Sequence, residues 1–118
     1  MTTLLIADDS AFARAGVKKI ITKRFPDWEI VECSSPITAL ATLQSKKVDV
    51  ALIDYHMPEM NGLAVAAAGI KVQSNIRIAL VTASIQDSLK EKADNIGVSF
   101  IGKPVNQDEL EKFLAEIA

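Results

Sequence analysis

Five short runs of aliphatic and β-branched residues recur along the chain: Thr3–Ala7, Glu29–Cys33, Val48–Ile53, Ile76–Val81 and Val98–Ile101. Each is followed by a stretch long enough for a helix. Strands that alternate with helical patterns imply βαβ units, and so a parallel sheet covered by helices on both faces. The third and fourth runs are almost continuously apolar, as strands buried on both faces should be. The second, Glu29-Ile30-Val31-Glu32-Cys33, alternates with charge and suits a sheet edge.

The helical segments carry their own boundaries. Ala13, Val17, Ile20 and Ile21 form an apolar stripe between about Ser10 and Arg24, and Pro26 bars continuation. Ser35-Pro36 places a capping residue before a proline at the first helical position, opening a helix through Leu40 and Leu43. Asn61-Gly62 signals a turn before the Ala-rich segment Leu63–Val72. Gly97 follows Ala93 and Ile96 as a helix stop, and Leu110, Phe113, Leu114 and Ile117 share one face of a last helix over about Asn106–Ile117. The pattern reads as a doubly wound (βα)5 α/β fold, with no linker, repeat or low-complexity tract.

A chain of 118 residues fits one domain, residues 1–118, and can bury a core without staples. Its net charge of −2 argues against general nucleic-acid binding. Cys33 is the only cysteine, so no internal disulfide forms and a reducing cytoplasm suits the chain. The longest apolar stretch, Leu63–Ile70, is far short of the ~20 residues needed to span a bilayer. Asp8-Asp9 cuts the first apolar run too early for a signal peptide. A cytoplasmic protein without membrane association is expected. Lys18, Lys19, Lys23 and Arg24 crowd the end of the first helix, where cations complement its dipole.

In open α/β sheets, ligands bind beyond the carboxyl ends of the strands. Run one ends in Asp8-Asp9, run three in Asp54, run four in Thr82 and run five in Lys103-Pro104. An Asp after a strand commonly caps the next helix, and a lone Thr or Lys there needs no function. Four such groups converging on one edge are harder to dismiss. Clustered carboxylates repel each other, and a divalent cation relieves the conflict; oxygen-only ligands favour Mg²⁺ or a similar hard ion. Such an ion commonly serves a phosphoryl group, for which the Thr82 hydroxyl and Lys103 ammonium are suitable donors. With no histidine placed to activate a serine, a carboxylate is the natural nucleophile, attacking phosphorus to give an acyl phosphate.

The chain resembles response-regulator receiver domains of two-component systems, of the chemotaxis-regulator kind. The likeness covers its whole length. Asp54-Tyr55-His56-Met57-Pro58-Glu59-Met60-Asn61-Gly62 fits the family's Asp-x-x-Met-Pro-x-Met-x-Gly loop, with Asp8-Asp9-Ser10, Val81-Thr82-Ala83 and Gly102-Lys103-Pro104 at the other signatures. The resemblance implies a flavodoxin-like five-stranded parallel sheet of order 2-1-3-4-5. It makes Asp54 the phosphoacceptor. Asp9, Asp54 and the His56 backbone carbonyl would hold Mg²⁺ (or Mn²⁺), with Asp8 acting largely through water. Lys103, Thr82 and the Ala83 backbone would bind the phosphoryl group, Thr82 and Phe100 would form the switch, and the bond before Pro104 would be cis.

It also implies partners and a mode of action. A sensor histidine kinase or histidine phosphotransfer protein would donate the phosphoryl group, docking near the first helix. The surface of the fourth helix, fifth strand and fifth helix would then change for a downstream protein target, or for a homodimer formed on phosphorylation. The domain itself would bind no nucleic acid and would be a switch rather than an enzyme, catalysing only its own phosphorylation and dephosphorylation. The alternative is an N-terminal receiver domain cut from a longer regulator with a DNA-binding or enzymatic output domain. A haloacid-dehalogenase-type phosphatase would want a second acid where His56 stands, and a flavodoxin-type flavin carrier would be repelled by Asp8-Asp9. His56 is the only histidine, and its side chain is expected to line the entrance to the site; Met57 and Met60 are expected to pack the loop.

Overall fold

The computed structural model describes residues 1–84 and 86–117; Ala118, where the expected domain ends, lies outside them. Strands and helices alternate: β1 (Thr3–Ala7), α1 (Ala11–Arg24), β2 (Glu29–Cys33), α2 (Pro36–Ser45), β3 (Val50–Asp54), α3 (Gly62–Val72), β4 (Arg77–Thr82), α4 (Asp87–Asn95), β5 (Ser99–Gly102) and α5 (Gln107–Ala115). All strands pair in parallel in the order β2-β1-β3-β4-β5. The charge-alternating second run is an edge, as expected, and the two most apolar runs lie inside the sheet.

Alternation along each strand divides the core between the two faces. Leu5, Ala7, Ala51, Ile53, Ile78 and Leu80 point to one side, where Ala39 and Leu43 of α2, Val65 of α3 and Leu89 of α4 cover them. Leu4, Ile6, Val50, Leu52, Ala79 and Val81 point to the other, against Ile21 of α1 and Leu110, Phe113 and Leu114 of α5. The cover on this second side is thin near the carboxyl ends of the strands. Of α1 only Ile21 is fully buried, and Phe12 is 91% exposed.

The departures from the expected boundaries have local causes. β3 starts two residues late because the Val48 N–H is taken by the Gln73 side chain, at 2.8 Å, rather than by a neighbouring strand. It ends one residue late because Asp54 still pairs with Val81. Asn61 caps α3 instead of forming a free turn, its Oδ1 accepting the Ala64 N–H at 2.9 Å, so Gly62 is already helical. Ser35 caps α2 with a reciprocal Ser35–Thr38 arrangement, the capping box.

Candidate functional site

The chain runs outward from β1 to the edge strand β2 and then crosses back to β3 on the other side of β1, and at this switch between β1 and β3 a crevice forms at the carboxyl edge. Asp8 lies there, its N–H extending the β1–β2 pairing to the Cys33 carbonyl at 3.1 Å. Its carboxylate accepts the Ser10 N–H at 2.9 Å and the Lys103 ammonium at 3.0 Å. Ser10, not either aspartate, caps α1 by accepting the Ala13 N–H. With the capping role filled, Asp8 and Asp9 are left for other chemistry.

Asp54, buried at the end of β3, lies 3.3 Å from the same ammonium. One carboxylate oxygen from each of Asp8, Asp9 and Asp54 lies within 4.8 Å of the others. Lys103 reaches the group because β5 brings it beside β4, its N–H donating to the Thr82 carbonyl at 2.9 Å. The Lys103-Pro104 peptide bond is cis.

The loop after Asp54 folds back on it. The Tyr55 N–H donates to Val81, and the Gly62 N–H returns to the Tyr55 carbonyl, each at 2.9 Å. A Cβ on Gly62 would sit 2.2 Å from the Asp54 carbonyl oxygen, so only glycine permits this approach. Between them Glu59 adopts φ 75° and the Met60 N–H donates to Pro58, a tight three-residue reversal. Met57 is buried in the core as expected. Met60 is not: it is 38% exposed, because this reversal turns it outward.

Burial pushes the Asp54 carboxyl above the ordinary aspartate range, and the charge of Asp8 adds to the effect; Lys103 opposes it and Asp9 reinforces it. Burial alone would lower Lys103, but the hydrogen bond to Asp8 and the charges of Asp54 and Asp8 outweigh it, so its pKa is raised. Three carboxylates facing one ammonium leave the cluster two positive charges short. Oxygen donors with that deficit suit a hard divalent cation, so the residues present fit Mg²⁺.

Among the described residues, the side chains of the other expected site residues make no hydrogen bond to this cluster. Thr82 is fully buried, and its hydroxyl accepts the Ser84 N–H at 3.0 Å. Ala83 is exposed. Phe100 is half-buried against the α2–α4 side of the core, in register with Leu80. The exposed His56 ring makes a 2.8 Å hydrogen bond to the Ser84 hydroxyl, tying the β3–α3 loop to the segment after β4. Ser84 and Arg14, whose guanidinium bonds the Asp8 carbonyl, carry no sequence signal beyond their nearness to Thr82 and to Ser10. Beside the cluster an apolar cleft of about 340 Å³ opens between Phe12, Gly16 and Ile20 of α1 and Pro104-Val105.

A model of the response regulator receiver domain matches residues 4–115. The chain belongs to that family. It is 31% identical over 117 residues to the chemotaxis protein CheY of Thermotoga maritima, covering 98% of this chain and 96% of that one. It is also 31% identical over 110 residues to the cyclic di-GMP phosphodiesterase response regulator RpfG of Xanthomonas campestris pv. campestris. That match takes in 91% of this chain but 29% of the relative's length. Among solved structures, a LuxR-family DNA-binding response regulator from Staphylococcus aureus superposes with a TM-score of 0.87 at 27% identity, covering 99% of this chain and 98% of that chain. Receiver domains are generally signalling switches rather than enzymes, work with histidine kinases or phosphotransfer proteins, and typically bind Mg²⁺ at an acidic pocket. No helix among the described residues is long and apolar enough to cross a membrane.

Proposed function

We propose that this receiver domain, residues 1–118, is a phosphorylation-driven switch of the cytoplasm whose phosphoacceptor is Asp54. The reading is carried by one observation: a single ammonium, Lys103 Nζ, bridges Asp8 and the buried Asp54 at 3.0 and 3.3 Å in a cluster completed by Asp9. Asp9, Asp54 and the His56 backbone carbonyl would hold Mg²⁺ or Mn²⁺, with Asp8 acting largely through water. When bound, the cation neutralises charge on the transferring group.

Asp54 attacks the phosphorus of a phosphohistidine on a sensor kinase or phosphotransfer protein. The new carboxylate O–P bond forms as the N–P bond breaks, and the donor imidazole leaves with that electron pair. The donor approaches over α1, where the apolar cleft beside the cluster offers it a surface. Lys103 then pairs with a phosphoryl oxygen, and the Thr82 hydroxyl and Ala83 N–H take others. The Thr82 hydroxyl, which accepts the Ser84 N–H, keeps its own O–H free to donate to that oxygen, and Phe100 occupies the space Thr82 leaves as it turns. The added charge shifts the equilibrium of the α4–β5–α5 surface only by its differential interaction with the two forms. A downstream protein or a second phosphorylated copy reads that surface; water resets the switch by hydrolysing the acyl phosphate.

The match to 29% of a longer regulator favours a second reading of the same chemistry, in which an enzymatic or DNA-binding output domain follows this receiver. The common step is tested with acetyl phosphate and Mg²⁺. The protein should gain one phosphoryl mass, and EDTA should abolish the gain. Undiminished labelling in EDTA would remove the metal from the scheme.

A further inference from the structure

Asp9 differs from its two neighbours in how its carboxylate is held. The Asp8 carboxylate is fixed by Ser10 and Lys103, and that of Asp54 by burial and Lys103. Asp9 is exposed, and among the described residues no hydrogen bond or ion pair reaches its carboxylate, yet it faces the other two within 4.8 Å. What aims it is therefore the backbone it springs from. The carbonyl of the Asp8–Asp9 peptide accepts a hydrogen bond from Arg14 Nη1, 2.6 Å away. The Arg14 side chain is only 15% exposed, and its Nε is held 3.2 Å from Glu32, whose other oxygen lies 3.4 Å from Lys18.

An arginine fork can serve two acceptors in fixed directions, which a lysine cannot. Here one branch is anchored on the edge strand β2 and the other on the peptide that directs Asp9. We propose that Arg14 is a positioning residue for the cation site, holding the Asp8–Asp9 peptide so that the Asp9 carboxylate faces Asp54. The inference rests on the metal reading given above. Groups that orient metal ligands without touching the metal commonly alter affinity by about 10–100-fold.

The test titrates Mn²⁺ into the full chain without a phosphodonor, with free Mn²⁺ read by electron paramagnetic resonance and melting followed by Trp28 fluorescence. Arg14→Ala should weaken Mn²⁺ binding about tenfold while the melting midpoint moves little, and Arg14→Lys should fall between the two. In an Asp9→Asn background, Arg14→Ala should cost nothing further, because the two changes act on one ligand. Wild-type affinity in Arg14→Ala, or the same loss in the Asp9→Asn background, would overturn the inference alone. If Arg14→Ala does not fold, Arg14→Lys decides, and unchanged affinity there overturns it too. A wild-type protein that binds no Mn²⁺ overturns the metal reading, and this inference with it.

Discussion

The two ends of the sheet use the same residue types to opposite effect. At the amino ends of the strands, Glu29 lies 3.1 Å from Lys46 and accepts the Thr3 hydroxyl, which together hold its carboxyl below the ordinary range. Asp49 accepts the Thr3 N–H at 2.8 Å, and Gln73 bonds the Val48 N–H and the Leu43 and Lys46 carbonyls. At the carboxyl ends, three carboxylates cluster while Lys103 pairs with only two of them, the Asp54 pKa is raised, and Glu59 takes a backbone conformation that side chains disfavour. One end is built to stay folded. The other holds unfavourable charge in place, the arrangement that the proposed cation and phosphoryl group would relieve.

The comparison breaks most visibly if the loop over Asp54 cannot close. Gly62→Ala should destabilise the fold by about 3 kcal/mol, read by urea unfolding, and should abolish phosphorylation in whatever fraction stays folded. At the opposite end, Gln73→Ala leaves its three backbone partners without their bonds and should cost about 2 kcal/mol, with phosphorylation intact.

Charge at the two ends should respond to pH in opposite senses. A raised Asp54 pKa means that its ionised form costs stability above the folded-state pKa, and that the cost fades as pH falls through that value and is gone below about pH 4. Asp54→Asn should therefore melt higher than wild type at pH 7 without divalent ions. The gain should shrink on acidification and on adding Mg²⁺, which binds the folded wild type. A lower melting temperature for Asp54→Asn at pH 7 would contradict this account. Glu29 runs the other way, contributing stability above the ordinary glutamate range that is lost as pH falls through its lowered pKa. Because that pair is solvent-exposed, Lys46→Ala should be the smallest effect, a barely resolved drop in melting temperature at neutral pH that vanishes in acid.

How much of this was legible in the sequence follows the same division. Asp8, Asp54, Thr82 and Lys103 could be found because they end apolar runs, and a parallel sheet brings run ends to one edge whatever the details of packing. The near-continuous apolar character of the third and fourth runs likewise foretold a core on both faces. Ser84, Arg14 and Gln73 were not foretold as they act, since each bonds a group on another element and nothing local marks the pairing. Met60 looked like loop packing from its motif; the left-handed turn at Glu59 decides otherwise, and φ is not written in the pattern of apolar positions. The α1 stripe predicted a better-buried helix than exists, because the cleft beside Pro104-Val105 leaves its first turns uncovered.

On the proposed function, the destabilised carboxyl end of the sheet carries a phosphoryl group on Asp54. Intact-mass analysis of wild type and Asp54→Asn after acetyl phosphate and Mg²⁺ tests it most directly. Wild type should gain one phosphoryl group and Asp54→Asn none; equal labelling of the two would mean that Asp54 is not the phosphoacceptor.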